Sequence, residues 1–178
     1  AKQHTSWVDP NAGYEAGLAR LVDALLGHLE PNPFLSDFLR FVEKPALLGC
    51  HNSLALVALK LTAPGVPDIY QGCESWNFSL VDPDNRRPVD HETLHRHLLR
   101  LKQSLPDGPL PAGLIATMRD EIADGQLKLL VTWRLLQLRQ RLPALFRDGS
   151  YHPLAIDGSR HEHAVAYERQ AGEACCVT

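Results

Sequence analysis

Cysteine is sparse, methionine sparser still, and an excess of positive charge is absent from this chain of 178 residues. The cysteines are Cys50, Cys73, Cys175 and Cys176. They show no C-x-x-C spacing, which excludes a zinc ribbon, and they are too sparse for a disulfide scaffold. Reduced thiols and a cytoplasmic location are expected. Basic side chains number 18 against 21 acidic ones, for a formal charge of −3, and this sets aside a nucleic-acid scaffold. No apolar run approaches the ~18 residues of a membrane span, so no membrane partner is expected. The first seven residues hold no apolar core of a secretory signal. Met118 is the one methionine, and the chain closes on Cys175-Cys176-Val177-Thr178 without a polar tail. Both ends are therefore expected to be cuts in a longer protein.

What is present is a chain able to fold. Hydrophobic residues make up 44% and charged residues 22%, which excludes disorder for most of it. Leu18, Leu21, Val22, Leu25 and Leu29 recur at helical spacing over 13–29, with Asn11 as N-cap and Pro31-Asn32-Pro33 as the stop. Phe34, Leu35, Phe38 and Leu39 predict a second helix over 34–43 that ends near Pro45. Within 49–62, Leu54-Ala55-Leu56-Val57-Ala58-Leu59 is apolar on every side and only Lys60 interrupts before Leu61, which predicts a helix buried all round. Pro64-Gly65 break it, and Val66-Pro67-Asp68-Ile69-Tyr70 reads as one short strand. Helix, Pro-Gly turn and strand form a late step of an α/β architecture.

A long polar ribbon over 71–89 follows. Asp90 then caps a helix over 91–105 carrying Leu94, Leu98, Leu101 and Leu105 on one face. Residues 110–125 are ambiguous. Leu127, Val131, Leu135, Leu138 and Leu142 predict a helix over 126–142, with Arg134, Arg139 and Arg141 on its solvated face. Short strands over 151–156, 163–168 and 175–178 open a β domain, divided by Asp157-Gly158-Ser159 and Gln170-Ala171-Gly172.

The ribbon holds the densest polar cluster: Tyr70-Gln71-Gly72-Cys73-Glu74-Ser75-Trp76, then Asp82-Pro83-Asp84-Asn85-Arg86-Arg87-Pro88-Val89-Asp90. Aromatic rings cover the apolar face of a sugar, and carboxylates, carboxamides and guanidinium groups bond its hydroxyls. The plainer alternative is a solvated loop stiffened by Asp–Arg pairs. His91 and His95 lie four apart on one helix face, but two ligands without a third make no metal site. No metal and no cofactor are expected.

Leu61-Thr62-Ala63-Pro64-Gly65-Val66-Pro67-Asp68-Ile69-Tyr70-Gln71-Gly72-Cys73-Glu74 resembles the last barrel strand of the α-amylase superfamily, glycoside hydrolase family 13. With Ser79-Leu80-Val81 and the Asp82–Asp90 string, Lys2-Gln3-His4-Thr5-Ser6-Trp7 and Asn32-Pro33-Phe34-Leu35, it is similar to a trehalose-forming branch of that family. The resemblance implies an isomerase that converts the reducing-end α-1,4 bond of a maltooligosaccharide into an α,α-1,1 bond. It implies a mostly helical α+β chain: the terminal part of a TIM (β/α)8 barrel with inserted helices, then the start of a C-terminal β domain. The segments are 1–48 as helical insertion, 49–105 as last barrel part, and 106–178 as linker, helix and truncated β domain. The family's catalytic carboxylates lie on earlier strands, so no catalytic residue is assigned and the chain alone is expected to be inactive.

Substrate contact is what the resemblance carries over. Asp82 and Arg86 match positions that bond a donor-side glucose. Glu74 orients neighbouring polar groups, and Tyr70 and Gln71 sit at the strand end. Trp76 is a sugar platform or a core ring, and Lys2 faces the acceptor side. Asp84 and Arg87 bind sugar or hold the loop in shape. Two alternatives remain: a helical packing module that self-associates through helix 49–62 and its strand edge, and a piece of another amylase-family glycosidase.

Overall fold

The computed structural model describes residues 3–27, 31–81, 84–105 and 108–178. Six α-helices precede three strands among these residues. The chain divides between Leu48 and Gly49 into two compact units.

In the first unit, α1 spans Ala12–Leu26. Asn11 starts it as expected, its side chain accepting from the Tyr14 amide at 3.0 Å. The end of α1 is tied to the start of the next helix through Asn32. Its amide group donates to the carbonyls of Leu25 and Gly27, while its oxygen accepts from the Leu35 amide at 2.9 Å. No residue of α1 is buried, and its leucines stay half exposed. The rings of Phe34 and Phe38 stack at 5.8 Å.

Helix α2 runs unbroken over Pro33–Thr62, where two helices separated near Pro45 are expected from sequence. Proline 45 withholds an N–H from the Phe41 carbonyl, a loss of ~3 kcal/mol in a closed helix interior. Phe41, Leu47 and Leu48 around it are exposed, so water meets the freed carbonyl and the helix continues. The expected burial of 49–62 on all sides is also corrected. Cys50, Val57, Leu61 and Thr62 are buried, whereas Leu56 is 65% exposed.

The second unit is built around α5, Gln126–Arg141. Its first half is buried nearly all round, at Leu127, Lys128, Leu129, Leu130 and Thr132. Cys50, Ile122 and Leu127 form one cluster, with Leu54, Trp76, Met118 and Val131 against it. Leu101, Leu129 and Leu130 form a second, flanked by Leu98, Leu105, Ile115 and Trp133. Helix α3, His91–Ser104, supplies Leu101, and Asp90 caps it as expected by accepting from the Thr93 amide at 2.9 Å. Helix α4, Ala112–Asp120, occupies the segment left ambiguous in the sequence. Helix α6, Pro143–Asp148, starts on the proline that ends α5 and buries Leu145 and Phe146. Arg139 is not on a solvated face. It donates to the carbonyls of Leu61 and Gly65 and lies over the Phe146 ring.

The sheet is antiparallel in the order β1-β2-β3, over Ser150–Pro153, Tyr167–Ala171 and Ala174–Val177. The middle strand sits later than its expected 163–168, because His161–His163 coils into a 3-10 turn. The strand expected at 66–70 is absent. That segment is neither helix nor strand, Val66 is 98% exposed, and no ladder forms there among the described residues. A barrel strand is defined by its two neighbours, and among the described residues none lies beside this segment.

Candidate functional site

The ribbon that follows α2 is fixed from beneath by α5 and the turn before it. Ser75 donates to the Gly125 carbonyl at 3.2 Å, and the Trp76 indole N–H donates to the Ile122 carbonyl at 2.6 Å. Gly125 sits at φ +76, and a Cβ there would lie 2.0 Å from the Ser75 hydroxyl. Only glycine both takes this left-handed conformation freely and leaves room for the serine. Trp76 packs on the Cys50–Ile122–Leu127 cluster, with the Lys128 ammonium 5.4 Å from its ring centroid. Of its two expected roles, the structure places Trp76 in the core.

Lys128 is buried along most of its length. Burial holds its ammonium below the usual lysine value, and Lys60 pushes the same way, against Cys73, Glu74 and Cys50. One oxygen of Glu74, Oε2, is buried without a hydrogen-bond partner. This oxygen is therefore turned inward, and the carboxylate's charge favours the ammonium of Lys128.

The outer side of the ribbon is tied by its own polar groups. The Cys73 amide donates to the Tyr70 carbonyl at 2.9 Å, which makes a turn at Gly72. Gly72 has φ +83, and a Cβ there would meet Val89 at 3.1 Å. This close approach brings the two ends of the ribbon together. Between them, Asp84 accepts from the Leu80 amide at 2.7 Å and pairs with Arg87. Asp84 and Arg87 thus brace the loop.

An open groove of about 240 Å³ lies where the ends meet, lined by Gln71, Asn77, Ser79, Asn85, Arg87 and Val89 among others. Carboxamide, hydroxyl and guanidinium groups of this kind offer both donors and acceptors, as a polyhydroxylated ligand requires. Of the residues with an expected role in substrate contact, Gln71 and Arg87 line it. Tyr70 is 44% exposed just before it. Arg86 is exposed on the 3-10 turn Asp84–Arg86. Glu74 and Trp76 point to the core. Asp82 and Lys2 lie outside the described residues. Asn77, Ser79 and Asn85 were not singled out in the sequence. They line the groove where Gly72 lies against Val89, and the nearest sequence signal was that glycine.

No helix among the described residues is long and apolar enough to cross a membrane. Among the described residues no group of three metal-ligating side chains converges.

No family model matches the chain. A crystal structure of a maltooligosyl trehalose synthase is similar to it at 35% identity and a TM-score of 0.78, covering 95% of this chain and 21% of that one. The maltooligosyltrehalose synthase from Arthrobacter ramosus is similar at 37% identity and a TM-score of 0.75, over 95% of this chain and 20% of that one. A Mycobacterium tuberculosis protein assigned the same enzyme name is 36% identical over 172 residues, 95% of this chain and 19% of that protein. The chain thus spans about a fifth of the length of the relatives it matches.

Proposed function

We propose, from a chain homologous over 95% of its length to about one fifth of maltooligosyl trehalose synthases, that it is part of a (1→4)-α-D-glucan 1-α-D-glucosylmutase. The whole protein turns the reducing-end α-1,4 bond of a maltooligosaccharide into an α,α-1,1 bond by a retaining route. An Asp outside this chain attacks the anomeric carbon, and a Glu protonates the departing glucose. The freed glucose then attacks through its own anomeric hydroxyl. The ester bond to the Asp breaks, and the hydroxyl proton returns to the Glu. Water has to be kept from the ester meanwhile.

This chain's share is substrate contact. Gln71 and the groove beside it hold hydroxyls of the glucan, Asp82 and Arg86 grip a donor-side glucose, and Tyr70 lies along the same edge. Glu74 and Trp76 support the ribbon from below, and Lys2 belongs to the acceptor side. Residues 1–48 are an inserted helical segment. Residues 49–105 close a family 13 barrel, and 106–178 lead into the C-terminal β domain of a cytoplasmic enzyme. The barrel's other strands would pair with 66–70.

The observation that carries this reading is the match of nearly the whole chain at a TM-score of 0.78, with 35% identity. The test is kinetic. In the full-length protein, Asp82→Ala, Arg86→Ala and Gln71→Ala should each raise KM for maltopentaose about tenfold or more, the loss of a charge-assisted or buried hydrogen bond. Unchanged kinetics in all three would remove the ribbon from the site. The 178-residue chain alone should make no trehalose-ended product.

A second reading, a packing module that self-associates, draws on the exposed apolar side chains Leu21, Leu39, Phe41 and Leu56. Light scattering separates the two. A monomer that binds maltooligosaccharide excludes the module, and a stable dimer indifferent to sugar supports it.

A further inference from the structure

The last turn of α2 is the root from which the ribbon leaves. Two side chains of the middle strand β2 grip it from within the core. Tyr167, 2% exposed, lies with its hydroxyl 2.6 Å from Thr62 Oγ1. Thr62 gives its own hydroxyl proton to the Ala58 carbonyl at 2.6 Å, so Tyr167 is the donor in this pair. Arg169, 1% exposed, donates through Nη1 to the Thr62 carbonyl at 3.3 Å. Its Nε reaches the Ser150 carbonyl at 3.0 Å. Its Nη2 reaches the carbonyls of Leu145 at 3.1 Å and Gly149 at 3.0 Å.

A guanidinium this deeply buried ordinarily meets a carboxylate. Among the described residues Arg169 meets none, and its charge rests on carbonyls at the C-terminal ends of α2 and α6. Those are the negative ends of the helix dipoles, where a cation is favoured. From the other side, Arg139 donates to the carbonyls of Leu61 at 2.9 Å and Gly65 at 3.3 Å. The main chain over 61–65 is therefore held at four carbonyl or hydroxyl oxygens just ahead of the segment that ends in Tyr70 and Gln71.

We infer that Tyr167 and Arg169 are positioning residues, through which the C-terminal sheet sets where the sugar-binding ribbon leaves α2. The inference rests on the proposed glucan-isomerising function. Neither side chain touches the groove. They act on it through Thr62, and Gln71 is the groove residue nearest in sequence to that anchor. A ribbon released at its root covers the glycosyl-enzyme poorly. Water then competes with the captive glucose for the anomeric carbon. Either attack breaks the same ester bond and delivers one proton to the Glu. Attack by water leaves free glucose and a shortened glucan, and attack by glucose leaves the trehalose-ended product.

The test is the ratio of free glucose to trehalose-ended product made from maltopentaose by the full-length protein. This ratio is set per turnover, so a smaller amount of folded enzyme does not move it. Tyr167→Phe, which removes one hydroxyl, should raise it on the order of fivefold, as expected for one lost hydrogen bond. Arg169→Lys, which cannot fork to several carbonyls, should raise it more. Thr62→Ser keeps the hydroxyl and should hold the wild-type ratio. Tyr151→Phe, on the same sheet with its ring 5.1 Å from Tyr167, should do the same. A wild-type ratio in both Tyr167→Phe and Arg169→Lys overturns the inference. So does failure of both variants to fold, which would make the pair a folding element alone. A wild-type protein that makes no trehalose-ended product refutes the isomerase function itself, whatever the variants do.

Discussion

The indole N–H of Trp76 donates to the carbonyl of Ile122 at 2.6 Å, and this bond locks the ribbon to the turn that precedes α5. The two residues also share a hydrophobic cluster with Cys50 and Leu127. Trp76→Phe should keep most of the packing and lose the bond, lowering stability by ~1 kcal/mol. Trp76→Ala should cost ~3 kcal/mol, because it also opens a cavity. Urea denaturation checks the order. Equal losses would mean that the hydrogen bond carries the whole effect.

Gly125 and Ser75 make a second, independent lock. Gly125→Ala forces a Cβ into a left-handed backbone and against the Ser75 hydroxyl at 2.0 Å. A loss of ~2 kcal/mol or more is expected. Pairing it with Ser75→Ala removes the clashing oxygen, so the double variant should be more stable than the two single losses predict. Additive losses in a double-mutant cycle would show that the backbone alone is at fault.

Asp90 links the helix after the ribbon to pH. Its hydrogen bonds from the Thr93 amide and hydroxyl hold the carboxyl below its ordinary value of 3.8. A depressed value means that this contribution is complete above 3.8 and is lost as pH falls through the folded-state value. Asp90→Asn keeps a capping oxygen without the titration. Its stability should therefore fall less steeply than wild type over that acid window. Parallel curves would show that Asp90 takes no part in acid unfolding.

Lys128 gives the opposite limb. Burial lowers its folded-state value beneath the 10.5 of the exposed group. Between the two values the folded protein binds fewer protons than the unfolded one, so stability rises with pH there. Below that window the burial penalty is fully present. Lys128→Met removes the charge and keeps the apolar stem. The midpoint of urea unfolding should then lose this alkaline rise, and an unchanged slope would assign it to other groups.

Helices α1, α3 and α5 were legible because their signals are local. Asn11 and Asp90 cap through bonds three residues on, and the leucine spacing needs no knowledge of the rest of the chain. The segment 66–70 forms no strand in this chain for the opposite reason. Val66 and Ile69 favour a strand, but a ladder needs a neighbouring strand, and none lies alongside among the described residues. Pro45 was misread because a helix-breaking residue is tolerated where solvent reaches the backbone. At the site, Gln71 was legible as part of a polar ribbon. Asn77, Ser79 and Asn85 lie in the same ribbon, but their convergence with Gln71 on one groove was not legible, because the groove forms where Gly72 meets Val89. Arg169 escaped as well. The alternation of Tyr167, Glu168 and Arg169 in a strand places the arginine on the same inward face as the tyrosine, and that was the available signal.

Among the described residues the acceptors around Arg169 are all peptide oxygens, from Thr62, Leu145, Phe146, Gly149 and Ser150. Exchanging side chains at the accepting positions leaves those oxygens where they are, provided the backbone path is kept. The join between sheet and helices is thus insensitive to drift on one side and intolerant of it on the other. A single codon carries its chemistry.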